Sequence, residues 1–253
     1  MILPAPFRAA GDHLQIDLPG GRAIFTTRRG GHSTGSYASL NLGYLTDDRP
    51  DDVARNRTQL AGQLGVAFAY GRQVHGTVVD RVTVRPREDV SPADAPRPVP
   101  AEADGQATAL AGVAPMVLTA DCLPVAVIGE GAVAMLHAGW RGLAGGVLAE
   151  GVRAVRELGA TGPLTAAIGP GAGPCCYEVG DEVRAAFSDH GDDVQRGRRL
   201  DLPAIAQREL EQAGVEEIHD CGLCTMCSDA SLFYSHRRDH GVTGRQAGIA
   251  WLS

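Results

Sequence analysis

Two imidazoles and one thiol, those of His75, Cys122 and His137, form the set of side chains in this sequence best suited to hold a reactive metal. Catalytic zinc is usually bound by three protein ligands drawn from His, Cys and carboxylates, with a fourth position left for water or substrate. The three fit that inventory, and each adjoins a glycine, a proline or the end of an apolar run, where a side chain can project into a pocket. They lie far apart along the chain and follow no local metal-binding spacing, so ordinary core or loop roles stay open for each. A second chemistry needs the same residues: Cys122 as a nucleophile with His137 as its base. Copper is compatible with a His-His-Cys set as well. However, none of the 8 histidines forms an H-x-H pair and no C-x-H follows a candidate cysteine, so copper is expected only as an adventitious metal.

The elements that must carry these groups are legible in outline. Ala23 to Thr27 alternates as a strand does and runs into Arg28-Arg29-Gly30-Gly31. Pro50, acidic Asp51 and Asp52, apolar Val53, Leu60 and Leu64, and a closing Gly65 predict a helix. Val78 to Val84 reads as a strand leaving Gln73-Val74-His75-Gly76. Met116 to Thr119 and Val125 to Ile128 read as buried strands with Cys122 in the break between them, and a third strand, Ala132 to Leu136, delivers His137. Beyond Gly139-Trp140-Arg141-Gly142, Leu148, Val152 and Val155 recur at helical spacing as far as Gly159. Leu164 to Ile168 and Gln246 to Trp251 are further strands, and Asp201 caps a helix from Pro203 to Ala213. Hairpin-like strands with segregated helices favour an α+β sandwich over a doubly wound sheet.

Composition sets the bounds. The chain has 253 residues, 44% hydrophobic and 21% charged, which suits one globular domain over residues 1–253. Five prolines between Pro86 and Pro100 predict a flexible loop at about 85–103. A net charge of -7 gives no broad cationic field for nucleic acid or an anionic membrane. With no apolar export segment or membrane span, the expected compartment is the cytoplasm, and the 6 cysteines are expected as thiols or metal ligands. Cys221, Cys224 and Cys227 make two overlapping C-x-x-C spacings, which raises a second metal or an iron-sulfur cluster. No second C-x-x-C supplies a fourth sulfur, so buried thiols are expected there, with adjacent Cys175 and Cys176 packing behind the pocket.

Several blocks together resemble a known family. They are Thr27-Arg28-Arg29-Gly30-Gly31 with Ser39-Leu40-Asn41-Leu42-Gly43, then Gln73-Val74-His75-Gly76, Thr119-Ala120-Asp121-Cys122-Leu123-Pro124 and His137-Ala138-Gly139-Trp140-Arg141-Gly142. Gly173-Pro174-Cys175-Cys176-Tyr177-Glu178-Val179-Gly180, Cys224-Thr225, Arg237-Arg238-Asp239 and Thr243-Gly244-Arg245 follow. From about Thr27 onward the chain resembles the bacterial laccase-like polyphenol oxidase family, formerly called multicopper, now linked to purine nucleoside phosphorylase and adenosine deaminase activity. His32 departs from the small apolar residue usual after the paired glycines.

The resemblance implies a four-layer α-β-β-α sandwich and a zinc ion on His75, Cys122 and His137. It implies phosphorolysis of adenosine, inosine and methylthioadenosine to free base and sugar 1-phosphate, with deamination of adenosine beside it. Zinc on two neutral imidazoles and one thiolate keeps a charge of about +1 and can still polarise water. Within that chemistry, Asp121 beside Cys122 is the candidate proton carrier, or else it caps a turn. Arg141 is the first choice to grip phosphate, with Arg29 and Arg238 behind it. Asn41 and Gln73 offer amides to a purine edge or ribose hydroxyl, or to loop backbone. Amide hydrolysis, as in editing of peptidoglycan precursors, stands as the physiological alternative.

Overall fold

Three short strands open the chain: β1 (Arg8–Ala10), β2 (His13–Leu18) and β3 (Gly21–Phe25), followed by helix α1 (Pro50–Leu64) and strand β4 (Ala67–Ala69). Next come β5 (Val79–Val82), β6 (Gly105–Thr108), β7 (Val113–Thr119), β8 (Leu123–Glu130) and β9 (Ala132–Ala138). Helices α2 (Trp140–Gly145) and α3 (Val147–Glu157) lead to β10 (Thr161–Ile168) and α4 (Asp181–Ala185). The small pair β11 (Gln195–Arg196) and β12 (Arg199–Leu200), then α5 (Leu202–Gln212), β13 (Glu217–Asp220) and β14 (Gln246–Leu252) complete the fold. The structure, a computed structural model, describes residues 3–86 and 100–253. Most of the loop expected at about 85–103 thus lies outside the described residues.

The local chemistry explains these boundaries. Helix α1 starts with Pro50, carries Asp51 and Asp52 in its first turn and stops at Gly65, whose φ of 69° is left-handed. Asp201 accepts the backbone N–H of Ala204 at 3.1 Å and so caps α5. The connection after β9, read from sequence as a glycine-rich loop, is itself helix α2. Gly146, at φ 88°, breaks it from α3.

Two six-stranded sheets form, in the orders β1-β2-β3-β14-β7-β4 and β13-β10-β8-β9-β6-β5. Because successive side chains of a strand face opposite sides, β8 sends Val125 and Val127 into one apolar cluster and Ala126 and Ile128 into another. The second cluster, with Ile16, Phe25 and Met135, fills the space between the sheets. The first, with Leu148, Val155, Ile205 and Leu210, packs α3 and α5 on the outer face of the second sheet. Leu60 of α1 meets Met116 and Ile249 on the outer face of the first. These contacts give the expected mix of α and β, with helices packed outside two sheets. Helix α3 approaches β9 so closely that a Cβ on Gly151 would fall 2.3 Å from Leu136 Cδ1. That contact accounts for a mid-helix glycine that by propensity alone costs about 1 kcal/mol. Among the described residues no helix is long and apolar enough to cross a membrane.

Candidate metal centre

One end of the second sheet gathers the groups of interest. Pro124 pairs with His137 across the β8–β9 hairpin, so Cys122, just before β8, and His137, near the end of β9, sit together at the hairpin's open end. Strand β6 runs antiparallel to β9 and β5 parallel to β6. The starts of both therefore reach the same end, bringing Asp104 just ahead of β6 and His75 in the loop ahead of β5.

The donor atoms of His75, Cys122 and His137 all lie within 4.8 Å of one another. The two imidazoles meet edge to face, with ring centroids 4.8 Å apart. His137 is buried, at 3% exposure, while His75 is exposed on its loop. His75 and Asp121 both hold positive φ, 61° and 100°. Strain of this kind in non-glycine residues needs support from its surroundings.

Asp104, which carries no local signal in the sequence, supplies that support at His75. Fully buried, it accepts the backbone N–H groups of Val74 (3.0 Å), His75 (2.9 Å) and Gly76 (2.7 Å), which fixes the loop. His137 Nδ1–H donates to the same carboxylate at 2.8 Å, leaving Nε2 as the free ligand atom. Burial alone would raise the Asp104 pKa, but His137 and the backbone donors hold it below the usual carboxylate range. Gly139 leaves the remaining room: a Cβ there would fall 2.9 Å from Cys122 Sγ and 3.1 Å from His75 Cδ2.

The centre's own electrostatics reverse the effect of burial. Burial pushes the Cys122 thiol up, but the charge of His137 and hydrogen bonds from His137 and His75 bring it down to about 6. Burial lowers His137, yet Cys122 and Asp104 raise it to about 9. Each partner thus favours the charged form of the other, Cys122 toward the thiolate and His137 toward the imidazolium. A soft thiolate and two imidazoles, one oriented by a carboxylate, form a three-donor set suited to a divalent transition metal such as zinc.

The other residues singled out in the sequence divide into near and engaged. Asp121 is buried beside Cys122, with Thr225 Oγ1–H donating to Oδ1 at 2.7 Å and the Arg237 backbone N–H to Oδ2 at 2.8 Å. Arg141 is exposed at the start of α2, with its guanidinium 4.2 Å from the Trp140 ring centroid. Arg29, also exposed, donates to Ser231. Arg238 is held by Asp239, Thr225 O and Phe233 O. Gln73 exchanges two 2.8 Å hydrogen bonds with the Leu118 backbone. Asn41, fully buried, bonds Thr46, Asp48 and the N–H groups of Gly43 and Arg245. The expectation that these two amides face a purine meets a physical obstacle, since their donors and acceptors already hold the loops. Arg245 closes the Thr243-Gly244-Arg245 block. It lies within electrostatic reach of Cys122, Asp121 and Tyr37, and burial lowers its pKa. It also lines a cleft of about 90 Å³ with Tyr37, Thr46 and Thr243.

Residues 22–253 match the family model described as multi-copper polyphenol oxidoreductase laccase. The chain is 41% identical to a purine nucleoside phosphorylase of Xylella fastidiosa, over 92% of this chain and 93% of that one. It is 40% identical to one from Pseudomonas aeruginosa, over 91% and 93%. Its fold superposes on the crystal structure of YlmD from Geobacillus stearothermophilus with a TM-score of 0.85 at 34% identity, over 98% of this chain and 99% of that one. For the Bacillus licheniformis hypothetical protein YfiH the TM-score is 0.87 at 31% identity, over 99% and 100%. With a family model covering nearly the whole chain and relatives alike over most of their length, this chain belongs to the multi-copper polyphenol oxidoreductase laccase family.

Proposed function

We propose that this chain is a zinc-dependent purine nucleoside enzyme of the cytoplasm. It would phosphorolyse adenosine, inosine and methylthioadenosine to free base and sugar 1-phosphate, and deaminate adenosine as a second activity. The observation that carries the reading is the three-donor cluster of His75, Cys122 and His137 with the buried Asp121 beside it. The names of the relatives direct it to purine nucleosides. Six unpaired cysteines suit a reducing compartment.

When bound, zinc supplies Lewis acidity at a coordination position left for substrate or water. The protein's own contributions follow from its geometry. In phosphorolysis, a phosphate oxygen bonds to the anomeric carbon, the bond from that carbon to the base nitrogen breaks, and the base leaves with the electron pair and takes up a proton. Arg141 has no acidic partner among the described residues, so its fork of N–H groups is available to hold phosphate. Arg245 adds positive potential beside Asp121 and Cys122. Asp121 is held by two donors and still has lone pairs with which to carry a proton to or from the base or its departing amine.

The closeness of the Cys122 and His137 donor atoms, within 4.8 Å, gives a specific reason to weigh a second reading, a hydrolase with Cys122 as nucleophile acting on an amide. A covalent adduct on Cys122 in metal-free, active protein would favour it. Copper oxidation has less support: among the described residues only two of the eight histidines converge on a candidate metal cluster.

The test is an assay of metal-quantified protein with inosine and adenosine, with and without phosphate, followed by product identification. The expected result is hypoxanthine and adenine only when phosphate is present, and inosine from adenosine without it. Failure of fully zinc-loaded protein to consume either nucleoside would overturn the reading.

A further inference from the structure

The same end of the second sheet carries another cluster of sulfur. Strand β13 runs parallel to β10, with Ile168 opposite Asp220, so the loops that follow the two strands emerge side by side. Backbone hydrogen bonds clip them together, Gly171 N–H to Leu223 O at 3.3 Å and Thr225 N–H to Gly171 O at 2.9 Å. One loop brings Cys175 and Cys176, the other Cys224 and Cys227. The four sulfurs lie within 4.8 Å of one another, and Cys175 and Cys227 are separated by 3.2 Å.

We propose that Cys175, Cys176, Cys224 and Cys227 form a second, closed metal site that takes one zinc ion through four thiolates. A tetrahedron with metal–sulfur bonds of about 2.3 Å has sulfur–sulfur edges of about 3.8 Å. The observed spacings bracket that edge and exceed the roughly 2.05 Å of a disulfide. The backbone is arranged for a thiolate at Cys224, which receives the N–H groups of Gly173, at 3.3 Å, Met226 and Cys227. A divalent cation would offset the mutual repulsion of four thiolates gathered within 4.8 Å of one another. Four thiolates around zinc leave a net charge of about −2, and the groove beside Cys175 is lined by Arg196, Arg198 and Arg199. Among the described residues, Arg196 and Arg198 make no ion pair.

Four protein donors leave no position for substrate, so this ion would be structural. What it fastens is the wall of the first centre. Thr225, next to Cys224, donates to Asp121. Tyr177, next to Cys176, lies under the guanidinium of Arg237, and the backbone N–H of Arg237 donates to Asp121. The second ion is thereby a positioning element for the carboxylate beside Cys122.

The test counts metal and does not depend on turnover, so it stands apart from the nucleoside reading. Full-length protein purified under reducing conditions, loaded with zinc and desalted is expected to hold two zinc ions per chain. C122A and the double variant C175S/C227S should each hold one. Cobalt loaded into C122A should give the intense ligand-field and sulfur-to-cobalt charge-transfer bands of a four-thiolate site. If the double variant precipitates, the zinc count and the cobalt spectrum of C122A decide the matter. A C122A chain that holds no zinc, iron with iron–sulfur absorbance, or a Cys175–Cys227 disulfide surviving in reductant would each overturn the proposal.

Discussion

Two sulfur-bearing clusters share one end of the second sheet and differ in how their donors are supported. In the first, one thiol and two imidazoles converge from three separate strand ends, and Asp104 orients both the His75 loop and the His137 ring. In the second, four thiols come from two loops, and backbone N–H groups answer the charge of Cys224. Three donors leave a position for chemistry, whereas four close the shell. On the proposed reading, mixed donors with a carboxylate behind them mark the reactive centre, and uniform sulfur with amides behind it marks the scaffold that holds it.

The sharpest way to break this contrast is to empty one cluster at a time. His137→Ala should abolish metal binding at the first centre and lower nucleoside turnover by at least ~10³-fold, read by kinetics on metal-quantified protein. If it also emptied the four-cysteine cluster, the two would be one unit. Asp104→Asn keeps the shape but removes the charge that orients His137, and should weaken metal affinity at the first centre by about 10- to 100-fold. Competition with a chromophoric chelator measures it, and affinity at the cysteines should not change. Arg141→Ala should raise the KM for phosphate about tenfold or more in steady-state kinetics, through loss of a charge-assisted contact.

The smallest effect should come from a group in neither cluster. Burial raises the pKa of Glu209, on α5, to about 7 with His190 Nε2 3.5 Å away. A carboxyl raised on folding favours the folded state fully below its unfolded pKa, near 4.5, and that contribution is lost as pH rises through about 7. Glu209→Gln should therefore match the parent chain near pH 4 and exceed it by about 1–3 kcal/mol near pH 8. Denaturant melts at the two pH values check this, with both metal sites unchanged.

The first cluster was legible in the sequence because His75, Cys122 and His137 each sit where an apolar run meets a turn. Their convergence rested on resemblance, since spacing along the chain says nothing about which strand ends share an edge. Asp104 was invisible for the same reason: an acidic residue ahead of a short strand carries no local signal, and its role depends on β6 lying beside β9. The gathering of four cysteines was not legible, because the C-x-x-C spacings show no fourth sulfur. Cys175 and Cys176 join Cys224 and Cys227 across the β10–β13 pairing, about fifty residues away along the chain, while Cys221 stays apart; of the three thiols expected to be buried, Cys227 is exposed. Strong local codes fared best: Pro50 with Gly65 bounded α1, and Asp201 capped α5. Weak ones failed, as with β1, β2 and β13, whose short sequences carry little periodicity.

A crystal of the zinc-loaded protein, with diffraction recorded on both sides of the zinc absorption edge, bears most directly on the first centre. The expected result is an anomalous peak within bonding distance of Cys122 Sγ, His137 Nε2 and a nitrogen of His75, with one further position taken by a non-protein atom. The absence of density among those three side chains in fully loaded crystals, or a peak that one of them does not contact, would contradict it.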